Sequence, residues 1–292
     1  MTVVNVSAKV DANTPLWRYM SLDKLVDLLF AKELHFTPLA FFVKSDPFEG
    51  YVPAVSLEAI ASIFRPKVRD SELAFELVEE YRKSVGYELT REEKTRFQSQ
   101  MDELKTAPRD YYAAIAKAIA VNCWHINKGE SEAMWRLYSD NGKGVAVETT
   151  LGSLTESIQL CESPYRVQIY PVKYLDFFDQ TLKPSDCVVE GQTVPLLKRI
   201  SYEHEHEVRA FVVNVPQSAR DAANLDSWKP IPTRIRVDLS CLIKAVHISP
   251  YSGEPFPTSV RSICEQYGLP KDIVHLSRLL SGHEELLDRL SL

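Results

Sequence analysis

The sequence predicts an α+β fold, with a mostly antiparallel central sheet and a helical insertion at about residues 55–120. Three observations carry this. Short apolar runs bounded by Pro, Gly or polar turns recur at 16–20, 34–37, 121–125, 145–148 and 208–213. Beside them runs helical spacing, as in Leu22, Leu25, Val26, Leu28 and Leu29. From about Leu57 to Ala120 glycine nearly vanishes, and charges of both signs interleave with spaced apolar residues. The 292 residues, 45% hydrophobic and 25% charged, suffice for a sizeable core and are read as a single domain, 1–292.

In order, residues 1–14 form a strand or arm, and Leu16–Met20 a short strand interrupted by Arg18. Ser21 caps a helix, and Leu34–Thr37 is a strand stopped by Pro38. Ser45-Asp46-Pro47-Phe48-Glu49-Gly50 reads as a turn. The insertion reads as two or three helices broken near Pro66, Gly86 and Pro108. Val121–His125 is a strand, Glu132–Tyr138 a short helix, Asn141–Gly144 a turn and Val145–Glu148 a strand. The remainder is β-rich, with strands at 165–174, 208–213, 235–238 and 243–248. A helix follows Pro257, a strand lies at 273–276, and a terminal helix starts near Gly282.

Composition narrows the function. A net charge of −6 leaves no strong electrostatic footprint for nucleic acid or a membrane surface. No 18-residue apolar run suggests a membrane span, and the N-terminus lacks a signal-peptide pattern. The five cysteines are scattered, without a CxxC pair, as expected of thiols in a reducing cytoplasm. No P-loop, GxGxxG or GxSxG element occurs.

The stretch Ser201–Val213, SYEHEHEVRAFVV, concentrates ionisable groups at the mouth of an apolar strand. Read as a strand throughout, it puts Glu203, Glu205 and Glu207 on one face and His204, His206 and Val208 on the other. Arg209 is read as pointing away from Glu207. Five ionisable groups there are costly to bury without a task or partner.

The string CWHINKGESEAMWRLYSDNGKGVAVE resembles the central motif of a bacterial family catalogued as domain of unknown function 2971. WRYMSLDKLVDLL, SDPFEG, YEHEHEVRAF, HISP and VHLSRL extend the likeness, in the family's order, over nearly the whole chain. One departure is Ser45, where asparagine is expected. The layout is similar to that of the ADP-ribosyltransferase superfamily. The resemblance implies a split sheet core and three site elements. These are Arg18 before a helix, Cys123-Trp124-His125 with Tyr138 downstream, and Glu207 in Glu205-His206-Glu207-Val208.

What the resemblance implies is an NAD-using transferase or glycohydrolase, with NAD as substrate and the acceptor open. Glu207 would stabilise the oxocarbenium-like ribose, and Glu205 would activate the acceptor as base. Arg18 would grip the pyrophosphate. Tyr19, Trp124, His125 and Tyr138 complete the cofactor-binding set, with aromatic stacking on nicotinamide. The reading requires Arg18 and Glu207 on the same side of the sheet.

Plainer readings stand beside it. Arg18 pairs with Asp46 or Glu49. Trp124, Met134, Trp135 and Tyr138 are core. The glutamates are a charged edge strand that resists aggregation. These imply a non-catalytic binding or regulatory protein, such as a component of bacterial stress or phage defence, with a filled cleft and Glu207 bridged to Arg18 or Arg209. A third reading is a metal-dependent hydrolase on His204, His206 and a carboxylate, with His35, His125 or His247 as third ligand only if the fold brings one close.

Overall fold

The computed structural model describes residues 1–214 and 229–282; the terminal helix expected from about Gly282 lies outside the described residues. The apolar alternation of Pro15–Met20 forms a strand, β2, after a short β1 at Val4–Val6. Ser21 then opens helix α1, Leu22–Ala31, which buries Leu25, Leu28 and Leu29. Lys32 ends α1 in the left-handed region, its N–H donating to the Leu28 carbonyl, and turns the chain into β3, Glu33–Pro38.

The insertion is two helices, α2 (Ala54–Ser84) and α3 (Arg91–Ala118). The break falls only at Gly86, whose φ of 85° suits glycine, and α3 restarts on a Thr90–Glu93 capping box. Pro66 and Pro108 lie inside helices instead of ending them. Pro66 is solvent-exposed, so water can take the carbonyl that its missing N–H leaves free.

The sheet is mixed, not mostly antiparallel as expected. Its main path is β1–β6–β9–β4–β2–β5–β11–β12. Here β4 is Ile119–Ile126, β5 Val145–Thr150, β6 Val167–Pro171 and β9 Glu207–Val213. The last two strands are β11, Ala245–Ile248, and β12, Val274–Leu276. The interior is antiparallel, while both ends, β1 with β6 and β11 with β12, are parallel. A separate two-stranded parallel pair joins β7, Lys173–Leu175, to β8, Leu197–Arg199. The region taken as β-rich also holds a helix, α5, Leu151–Gln159, capped by Thr150.

One feature of the pairing matters for the site. A single edge of β4 is shared: β2 pairs with Ile126 and His125, and β3 pairs with Val121 and Ala120. Between them, Asn122, Cys123 and Trp124 have no strand partner on that edge, and Asn122 Nδ2 donates to the His35 carbonyl at 2.9 Å. The sheet therefore opens a gap at the middle of β4.

The two faces of the sheet differ. Leu16, Met20, Trp124, Val208 and Ala210 line one face, in a core closed by α1 and by α6, Phe256–Gln266. On the other face, Val121 and Phe211 meet Tyr112 and Ala116 from the base of α3. Beside them Trp17 and Tyr19 pack under Met134 and Trp135 of α4, Glu132–Tyr138.

Candidate functional site

The Glu/His stretch is not one strand. Ile200–Glu205 coil into a 3-10 helix, His206 turns with φ of 40°, and only then does β9 begin at Glu207. The turn is fixed by hydrogen bonds, from His206 N–H to the Glu203 carbonyl and from Ile126 N–H to the His206 carbonyl. Glu203, Glu205 and Glu207 therefore share no strand face, and neither do His204 and His206. The turn still carries Glu205 back onto the β9 face, where both Glu205 and Glu207 are buried.

Arg209 also sits where alternation dictates, two residues on and on the same face as Glu207. The expectation that it points away fails. Its Nε donates to Glu207 Oε2 at 2.6 Å. Its Nη1 and Nη2 fork onto Glu49 at 2.6 and 3.2 Å, and Nη1 also reaches the Pro195 carbonyl at 2.7 Å. Arg18 pairs with neither Asp46 nor Glu49. Asp46 instead takes Arg199 Nη2 at 2.7 Å and closes its own turn by accepting from Phe48 N at 3.0 Å. The turn at 45–50 thus clamps two cations with its two acids.

Lys198, from β8, completes the cluster. Its Nζ donates to Glu205 Oε2 and lies 3.3 Å from Glu207 Oε1. Burial works against both glutamates, but the outcomes diverge. For Glu205, burial and a hydrogen bond with Glu207 raise the carboxyl to about 7. For Glu207, the charges of Arg209 and Lys198 outweigh burial and hold the carboxyl below its usual range. Burial likewise opposes the Lys198 ammonium, yet Glu207 and Glu205 keep its pKa raised. Two adjacent carboxyls driven apart in this way are the usual mark of an acid–base pair.

Around this pair stand groups with free valences. His125 Nδ1 lies 2.6 Å from the Glu205 carbonyl. A carbonyl only accepts, so Nδ1 carries the proton and Nε2 is a bare acceptor. That Nε2 is buried and unpartnered among the described residues. Burial lowers the His125 pKa, which keeps the ring neutral. The Cys123 thiol, pushed up to about 12 by burial and then by Glu207, stays protonated and is no nucleophile. Tyr138 is 42% exposed, and its hydroxyl is held protonated by burial and by Glu205 and Glu207.

Arg18 is the other anomaly. Strand alternation gives it the face of Leu16 and Met20, opposite Glu207, so the two do not share a side of the sheet. Its side chain lies beside the gap in β4, with the guanidinium carbon 5.8 Å from the Trp124 ring centroid. There it is within electrostatic reach of Cys123 and Tyr138, both of which also feel the charge of Glu207. It makes no hydrogen bond or ion pair among the described residues, and Nη1 is buried. Burial lowers its pKa.

The remaining expected residues are elsewhere. Trp124 is 1% exposed in the core, and its Nε1 donates to Asn122 Oδ1 at 2.7 Å, so it offers no ring to a ligand. Tyr19 is buried against Trp135, and its hydroxyl accepts from Ser131 N at 2.8 Å. Among the described residues no three His, Cys, Asp or Glu converge as a metal set. Lys198 and Glu49 were missed as members of the cluster, and the only local signals for them are a Lys-Arg pair in an apolar run and the acid of SDPFEG.

No family model, curated protein or solved structure matches this chain.

Proposed function

We propose that this chain binds a phosphate-bearing ligand such as NAD at the gap of its sheet, without catalysis; cleavage of the nicotinamide–ribose bond required Arg18 and Glu207 on one side of the sheet, and they lie on opposite faces. The observation that carries the reading is Arg18. A half-buried guanidinium whose buried Nη1 has no partner among the described residues is costly, and a ligand phosphate would meet both its charge and its fork of donors. A second reading, cleavage of a ligand threaded through the gap, rests on the adjacent carboxyl pair, which would supply the chemistry as follows. As the bond from ribose C1′ to nicotinamide nitrogen breaks, its electrons leave with nicotinamide. The positive charge that develops on ribose is stabilised by ionised Glu207. The acceptor's oxygen or nitrogen bonds C1′, and its proton passes to Glu205, whose raised pKa suits a base near neutrality. Tyr138, 42% exposed, would stack on nicotinamide. The acceptor is a protein, a nucleic acid, a small molecule or water.

Glu207 itself favours binding alone. Both oxygens of Glu207 are engaged, by Arg209 and Lys198, and Arg18 approaches from the other face. That arrangement suits a binding protein without catalysis. Calorimetry of NAD against the wild type, Arg18→Met and Glu207→Gln, with a nicotinamide-release assay, separates the two. The transferase reading expects binding by the wild type and Glu207→Gln, loss in Arg18→Met, and release from the wild type alone. Binding without release in the wild type supports binding without catalysis. No binding at all removes NAD.

A further inference from the structure

We infer that the α2–α3 hairpin is a docking arm for a basic amphipathic helix of a partner protein. No residue of α2 is buried, although the helix is 31 residues long. Its base, Val55, Leu57 and Ile60, packs on the body, and the rest contacts α3. The seam between the two helices is made by Phe75 on Phe97, stacked with centroids 3.8 Å apart. A different stripe of α2 is left without a partner. Leu73, Leu77 and Tyr81 recur every four residues, with Val78 and Val85 alongside. These side chains are 48–69% exposed and run over about 18 Å of helix. An apolar run at helical spacing on a helix that already has its seam is the pattern of a helix-binding groove or ridge.

Charge selects the occupant. On the stripe's own stretch of α2, Asp70 to Val85, there are five acidic side chains against two basic ones. Acids near the seam are neutralised: Glu72 by Lys105, Glu79 by Lys94 and Glu93 by Arg82. Asp70, Glu76 and Glu80, on α2 beside the stripe, make no ion pair or side-chain hydrogen bond among the described residues. An apolar stripe with an unpaired acidic rim fits a helix with leucine-like residues on one face and Lys or Arg at its flanks. A second copy of this chain would set Glu76 and Glu80 against their own equivalents, and an anionic membrane would be repelled.

The test uses the full chain and two synthetic amphipathic helices of identical apolar pattern, one leucine–lysine and one leucine–glutamate. Fluorescence anisotropy should show the lysine helix binding and the glutamate helix not. Leu77→Ser with Tyr81→Ser should weaken binding at least about tenfold. Glu76→Lys with Glu80→Lys should reverse the preference between the two helices. All four positions are off the seam, so circular dichroism should show unchanged helix content. The inference is overturned if the lysine helix does not bind, or if it binds the wild type and both variants equally. It is also overturned if sedimentation shows a dimer of the chain that Leu77→Ser with Tyr81→Ser dissolves, because the stripe then serves a second copy.

Discussion

The protein carries two ionic systems, and they behave as opposites. On the hairpin, Glu72–Lys105, Glu79–Lys94 and Arg82–Glu93 form a ladder of solvated pairs along the seam. In the sheet, Glu49, Glu205 and Glu207 meet Lys198 and Arg209 with almost no solvent access. The first is a pattern of residues 11 to 33 apart that decorates helices already formed by capping and apolar seams. The second joins residues up to 160 positions apart and sits where burial makes every unmatched charge expensive. Identical residue types serve solubility in one place and constrain a fold and its chemistry in the other. Only the buried system should respond strongly to single substitutions.

The sharpest way to break this contrast is Arg209→Met. The side chain is among the largest fully buried ones, and its loss leaves Glu49 and Glu207 facing each other with Lys198 as the remaining cation. Removing one member of a buried ion network costs about 3–5 kcal/mol, far more than the lost contact itself. Urea denaturation should show that loss, and the double variant Glu207→Gln with Arg209→Met should recover part of it. A loss under about 1 kcal/mol would mean that the cluster is hydrated and no different in kind from the hairpin ladder.

Much of the fold was legible from the chain, but the site was legible only in part. Period-2 runs located β2, β3, β4, β5, β9 and β12, and the 3.6-period run after Ser21 located α1, because one buried face is enough to set each pattern. Thr150 followed by Leu151, Leu154 and Ile158 hid α5 in a region read as strands. The Glu/His alternation at 203–207 mimicked a strand, since a turn with positive φ at a histidine leaves no mark in residue type. Arg209 was misplaced although alternation does put it beside Glu207. The partners Glu49 and Lys198 could not be read, because no local pattern links positions that only the folded sheet brings together. The inward, unpaired Arg18 belongs to the same class: its isolation is a property of the gap in β4, not of its neighbours in sequence.

A gentler way to sharpen the contrast uses pH. Glu205 has its carboxyl raised in the folded state, so folding favours its protonated form. Its contribution to stability is fully present below the ordinary carboxyl range and is lost as pH rises through about 7. Glu207, shifted the other way, contributes above that range and loses its contribution as pH falls into strong acid. Between pH 5 and 8 the Glu205 effect runs against His35 and His125, whose pKa values burial holds down, so that their contribution rises with pH. Relative to Glu205→Gln, the wild type should therefore lose on the order of 2 kcal/mol of unfolding free energy over that window. A Gln variant with the same slope as the wild type would remove Glu205 as the titrating group. The acid–base role proposed for it would go as well.

The smallest effect is expected on the hairpin, and it is the control for the other two. Glu79 accepts from Lys94 Nζ at 2.8 Å and lies 3.6 Å from Lys83. Both lysines are more than half exposed, so water already solvates them and salt screens the pair. Glu79→Gln keeps the shape and the hydrogen-bonding capacity and removes only the charge. Thermal unfolding at low and at high salt should show no resolvable shift in Tm, with the same slope against pH as the wild type. The seam at Phe75 and Phe97 and the Thr90 cap, not the ion pairs, would then hold the two helices together. A marked salt-dependent drop would instead make the ladder structural, and the acidic rim beside it could no longer be counted as charge left over for a partner.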